Sequence, residues 1–230
     1  MSKRTSTVLR LLEFTDSAFP VGTFSFSCGL ETAAFLGLVH DAATLEEYTR
    51  DVATQAAFTD GISALHSYRS YRAGDYGGVL DADAQTILCK MNSEARLMSC
   101  RMGKKLAELS GHIFSDDFIA RWRKDIGMDV TPGTYPVAQG MVFAACDISE
   151  QELFCSHQFG AASMVLGAAL RLVRVSHYDT QRIMFRMAED MDELYCKVKE
   201  LGLEDMNTFV PQMDILASLH EKGTQRMFMN

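Results

Sequence analysis

Proline is scarce in this chain: four in 230 residues, Pro20, Pro132, Pro136 and Pro211. Each falls between apolar-periodic segments, where proline opens or closes a helix at little cost. Positive charge is scarce as well. Twenty-two Lys and Arg face thirty Asp and Glu, giving a net charge of -8 and a pI near 5.2. That balance opposes nucleic-acid binding, which needs a clustered positive field. The one basic run, Arg121-Trp122-Arg123-Lys124, reads as a solvated helix face against this acidic background. None of the six cysteines lies within a C-x-x-C pair, so zinc and dithiol chemistry lack their usual signature. Reduced thiols in the cytoplasm are the expectation. The N-terminus has no signal-peptide apolar region. The longest apolar stretch, Ala161 to Ala169 broken only by Ser163, falls far short of the roughly 20 residues that span a bilayer. No membrane partner is expected.

Catalytic signatures are missing too. None of the six histidines has Glu three residues before it, which removes the di-iron Glu-x-x-His motif. His-Glu-x-x-His and the phosphate-binding Gly-x-x-x-x-Gly-Lys-Ser/Thr loop are absent from the sequence. Cys155 and His157, at i,i+2 on a helix, point about 200° apart and cannot share one metal ion. Each reads as a packed or surface residue. Met184, Met187 and Met191 at helical spacing read as core. No catalytic, cofactor-binding or metal-binding residue is assigned, and the chain is not expected to be an enzyme.

What is present is helical periodicity. Leu45, Tyr48, Val52, Ala56, Ile62, Leu65 and Tyr68 mark one face of a helix opened by a Thr44–Glu47 capping box. Gly74 to Gly78 is expected as a loop. One long helix is expected from about Asp83 to Ser110, with the stripe Ile87, Met91, Ala95, Met98, Met102, Leu106 and Leu109. Ser149 with Glu152 predicts a second capping box. The helix after it carries Gly160, Ala161, Gly167 and Ala168, a small face suited to a central or dimer-forming position. Asp179 is expected to cap the next helix, and a last helix to run from about Pro211 to Glu221. With no repeat, low-complexity segment or linker, the prediction is an all-α, single-domain bundle of roughly seven to ten helices over residues 1–230.

Three blocks carry more than periodicity. Asp16-Ser17-Ala18-Phe19-Pro20-Val21-Gly22-Thr23-Phe24 runs into Phe26-Ser27-Cys28-Gly29-Leu30-Glu31. Pro20 fixes φ and Gly22 permits a left-handed backbone, so a tight turn joins two helices. The second block is Pro211-Gln212-Met213-Asp214-Ile215 followed by His220-Glu221, and the third is the terminus Arg226-Met227-Phe228-Met229-Asn230. Chain ends are usually polar and frayed. An end with three large apolar residues either folds back on its own domain or inserts into a partner, and its composition leaves both open.

These blocks together closely resemble the urease accessory protein UreF family. That family carries Asp-Ser-x-x-Pro-x-Gly-x-aromatic, Ser-x-Gly-Leu-Glu, Pro-x-x-Asp-Ile, His-Glu six residues after that Asp, and a terminal Arg-Leu/Met-Phe. The resemblance implies an all-α homodimer that acts as an adaptor. It would bind urease accessory protein D (H in some bacteria) and the GTPase G, and so support GTP-dependent nickel insertion into apo-urease. It implies partner-binding roles for Asp16, Ser17, Pro20, Gly22, Phe24, Ser27, Gly29, Leu30, Glu31, His220, Glu221, Arg226, Met227, Phe228 and Met229, with residues 222–230 as a docking tail. Two alternatives remain open: an all-α enzyme with a small-molecule pocket, and a direct nickel carrier using Cys28 or a histidine.

Overall fold

Six of the helices start at a side chain that accepts from the backbone amide three residues on: Asp41, Asp75, Asn92, Asp116, Ser149 and Ser176. Such caps satisfy one of the amides left free at a helix start. The computed structural model describes residues 4–22, 26–221 and 227–228. Among these the elements are α1 (Arg4–Thr15), α2 (Leu30–Phe35), α3 (Ala42–Ala56), a π turn (Ala57–Gly61), α4 (Ile62–Ala73), α5 (Tyr76–Leu88) and α6 (Ser93–Ile113). They continue with α7 (Asp117–Gly127), α8 (Tyr135–Ala145), α9 (Glu150–Leu172), α10 (His177–Met187), α11 (Met191–Val198) and α12 (Pro211–Glu221), plus two short 3-10 turns. Ten of the α-helices run eleven residues or more, and there is no strand among the described residues. The all-α architecture is as the periodicity predicts.

Several boundaries differ. The expected helix over 83–110 is two helices, because the chain breaks at 89–92 and Asn92 caps a fresh start at Ser93. The expected loop at 74–78 shrinks to Gly74 and Asp75. Gly74 is the left-handed end of α4 (φ 70°), and Gly77 and Gly78 lie inside α5. A Cβ on Gly78 would lie 2.4 Å from Ser70 Oγ, so glycine there lets α4 and α5 touch. The third helix opens at Asp41, which pairs with Thr44 in the capping box expected of Thr44 and Glu47. Asp179 is the third residue of α10, paired with the cap Ser176. The Ser149–Glu152 box forms as predicted.

Two buried clusters organise the helices. The first gathers α4 to α8 around Trp122, Phe143, Leu106, Met141 and Ile148, with Phe154 from α9. Its centre is α8, in which every residue from Pro136 to Ala144 is buried. Gly140 makes this possible: a Cβ there would sit 2.5 Å from the Ala64 carbonyl oxygen of α4. Asp83, fully buried, stitches the loop before α8 to α5. It accepts from the Thr131 and Thr134 hydroxyls (both 2.5 Å) and from the amides of Gly133 (2.9 Å) and Thr134 (2.8 Å). The small-faced helix, α9, lies between the clusters and contributes to both. It is the one helix among the described residues long and apolar enough to cross a membrane, yet 56% of its most apolar stretch is buried within the fold.

The second cluster joins α2, α3, α9, α10 and α12 through Leu30, Leu45, Val165, Ile183 and Leu216. Phe228, near the chain terminus, belongs to it.

Candidate functional site

The turn into α2 is built on unusual backbone. Cys28 and Gly29 both have positive φ, 53° and 79°, which keeps α2 from starting before Leu30. A Cβ at Gly29 would meet Tyr48 Oη at 3.0 Å and the Ala217 amide nitrogen at 3.4 Å. Glycine is therefore needed twice over, for φ and for space. The Tyr48 hydroxyl donates to the Cys28 carbonyl at 2.6 Å and fixes the turn to α3. Leu30 is fully buried and anchors α2 in the second cluster. Glu31, the next residue, then faces α12.

There it meets His220. The imidazole Nε2 lies 2.9 Å from Glu31 Oε2, and Nδ1 lies 2.9 Å from Glu94 Oε2 of α6. His220 and Glu94 are both buried. With a carboxyl group at each ring nitrogen, His220 links α12 to both α2 and α6. Glu31 does more than hold the ring. Its Oε1 accepts from the Met227 amide at 2.7 Å and its Oε2 from the Phe228 amide at 3.0 Å. Burial pushes its carboxyl up, but the Met227 amide, His220 and the Phe228 amide outweigh this and hold it below the usual carboxylate range. One carboxylate thus ties α2, α12 and the chain terminus together. Glu221 caps α6 beside it, accepting from the Ser93 amide (2.8 Å) and hydroxyl (2.7 Å).

Of the two fates open to the tail, Phe228 folds back. Its ring is 6% exposed, and the Arg171 guanidinium of α9 sits 4.6 Å from its centroid. Met227 stays 60% exposed. The elements it lies against carry other exposed apolar residues: Ile215 and Leu219 on one face of α12, and Phe35 and Leu36 at the end of α2.

The site residues expected from the sequence fall into two groups. Gly29, Leu30, Glu31, His220, Glu221, Met227 and Phe228 converge here, with Ser27 buried just before the turn. Asp16, Ser17, Pro20 and Gly22 form a separate exposed turn after α1. In it Asp16 accepts from the Ala18 amide at 2.8 Å, and Gly22 adopts φ 93°. Asp16 and Ser17 border an open groove along α9. Phe24, Arg226 and Met229 lie outside the described residues. Glu94 and Arg171 escaped the sequence reading. Glu94 looks like an ordinary acidic residue in a first helical turn, and Arg171 like a basic residue in a last one.

Among the described residues no three His, Cys, Asp or Glu side chains are grouped to hold a metal ion. Cys28 lies against Met164, with Sγ to Sδ 3.4 Å, and burial pushes its thiol up to about 11. It is therefore a protonated thiol at neutral pH.

Comparison with known proteins decides the family. A family model described as UreF matches residues 39–188. "Urease accessory protein UreF 2" of Brucella canis is 47% identical over 223 residues, covering 97% of this chain and 92% of its own. "Urease accessory protein UreF" of Yersinia pseudotuberculosis is 42% identical over 226 residues, covering 98% of this chain and 99% of its own. The chain belongs to the UreF family. In this UreF chain the family model spans α3 to α10, while the Glu31–His220 node and the tail lie on either side of it. The two relatives, matched over 97% and 98% of the chain, extend the likeness across the Glu31–His220 node.

Proposed function

We propose that the chain serves urease maturation as a non-catalytic adaptor. It bridges urease accessory protein D (H) and the GTPase G, and supports GTP-dependent nickel insertion into apo-urease, acting as a cytoplasmic homodimer. Residues 1–230 form one helical domain, with 222–230 as its partner-binding tail. One observation carries this reading. Residues almost 200 positions apart in the sequence, Glu31, His220 and the amides of 227 and 228, meet at one carboxylate. The elements that it joins carry the exposed apolar residues Ile215, Leu219, Phe35, Leu36 and Met227, which this reading takes as one strip. A node that fixes the tail and leaves apolar side chains in solvent suits a binding surface better than a catalytic centre. The tail then contributes a fixed edge to the interface, with Met227 on its outer side.

The strip can be tested without touching the node. The double substitution Ile215→Glu, Leu219→Glu places two charges at exposed positions of α12. Co-expressed with the urease operon products, the unaltered chain is expected to co-purify with accessory protein D (H) and to support urease activation. The double variant should keep its circular dichroism and melting temperature, and lose both. Retention of the complex would overturn this assignment of the surface.

A further inference from the structure

Residues 206–210 join the 3-10 turn Leu203–Asp205 to α12 without helix or strand. Met206 is buried in the first cluster, whereas Leu216 of α12 and Phe228 belong to the second. The segment therefore carries the chain from one cluster to the other. Its next three residues, Asn207, Thr208 and Phe209, are exposed, so it gains little from burial. What holds it is the π turn. In a regular helix the Ile62 amide donates to the Phe58 carbonyl, four residues back. Here the Ile62 amide donates to the Thr59 carbonyl instead, and the Phe58 carbonyl accepts from the Asn207 amide at 3.3 Å. The π turn thus releases a backbone acceptor, and the segment takes it.

Two further contacts reach the same stretch of chain. The Val210 amide donates to Gln55 Oε1 at 2.8 Å. The Phe209 ring stands edge-on to the Phe58 ring, with centroids 5.7 Å apart and planes at 85°. Both acceptors and the Phe58 ring lie within residues 55–58, where α3 runs into the π turn. A cavity of about 150 Å³ adjoins the segment. Thr208 lines it, together with Gln55 of α3, Met213 and Asp214 of α12, and Cys28.

We propose that residues 207–210 are a latch that closes one side of this cavity, with the π turn as its catch. The Asn207 and Val210 amide bonds and the Phe209 ring hold it shut, and they open together because they share one short segment. Helix α12 does not follow. It stays pinned beyond the latch by Asp214, which accepts from Asn92 at 3.1 Å, and by His220 at its other end. Opening withdraws Thr208 from the cavity wall and returns the Asn207 and Val210 amides to water. Segments with few buried apolar contacts open at low cost, so the latch opens while both clusters stay packed. The six-residue step from Ala56 to Ile62 in the apolar stripe thereby has a use: it makes the catch.

Hydrogen exchange of the full-length chain, read amide by amide by NMR, tests the latch. The Asn207 and Val210 amides are expected to share one protection factor, well below those of α8. Gln55→Leu removes the acceptor of Val210 and leaves the Asn207–Phe58 bond in place. It should nonetheless speed exchange at Asn207 about fivefold, the worth of one net hydrogen bond. Phe209→Ala, at a half-exposed ring, should speed both amides by about the same factor. Maleimide labelling of Cys28, resolved by mass spectrometry, should rise in step in both variants, with Cys146 of the first cluster unchanged. Should Gln55→Leu not fold, Phe209→Ala carries the same readings. An Asn207 exchange rate unmoved in a folded variant would overturn the latch. Cys28 labelling that stays constant while both amides speed up would overturn its place at the cavity.

Discussion

The two buried clusters are held in different ways. The first is the larger, with aromatic residues at its centre. Asp83 bonds there to the backbone of the 131–134 loop. The second is smaller and closes over ionisable groups, with Glu31, His220 and Glu94 at its edge and the end of the chain as part of its wall. Large apolar burial makes the first cluster the source of global stability. The second can loosen at one end while the first stays packed, because units with few apolar contacts open locally at lower cost. A surface built to meet a partner is expected on the second.

Removing the centre of the first cluster should break the whole chain. Trp122 is fully buried, and Trp122→Ala is expected to cost about 3–5 kcal/mol. Urea unfolding followed by circular dichroism should show one transition moved to much lower urea. If only a local change appears, the clusters are not ranked as described.

Phe228→Ala sharpens the contrast. Its side chain contributes about 1.5–3 kcal/mol of burial, but at the chain terminus the loss should stay local. Hydrogen exchange is expected to speed up in α12 and α2 and to leave α8 unchanged. Faster exchange in α8 as well would mean that the two clusters unfold as one.

The smallest effect concerns acid. The carboxyl of Glu31 is lower in the folded chain than its ordinary value of 4.5. Its contribution is therefore fully present above that value and lost as pH falls through the folded one. Asp214 has the opposite sign, being held high by burial. The Glu31 contribution is thus read from the difference between the unaltered chain and Glu31→Gln. Urea midpoints of the two should lie apart at pH 6 and draw together toward pH 3. A constant gap across that range would remove the charge of Glu31 from the account.

Much of the helical layout is legible in the sequence because caps and stripes are local. Ser149–Glu152, Pro211 and Tyr135-Pro136 act within one turn, and the structure uses them at helix starts. The stripe from Leu45 to Tyr68 contains one six-residue step, Ala56 to Ile62, and the π turn occupies it. The break at 89–92 was hidden, since Met91 continues the apolar stripe on both sides. The node was legible only in part. Gly29, Glu31 and His220 stand in blocks set apart by their resemblance to a family, but no local pattern says that a carboxylate and an imidazole 189 residues apart will touch. Glu94 carries no local mark of burial.

Glu31 holds the end of the chain by the amide hydrogens of residues 227 and 228, and neither bond reads a side chain. The outward residue at 227 is thereby released from the duty of anchoring the tail, and its identity can drift with whatever lies opposite. Proline alone is barred at both places, since it brings no hydrogen to the bond. Residue 227 can thus change without rebuilding how the tail is held.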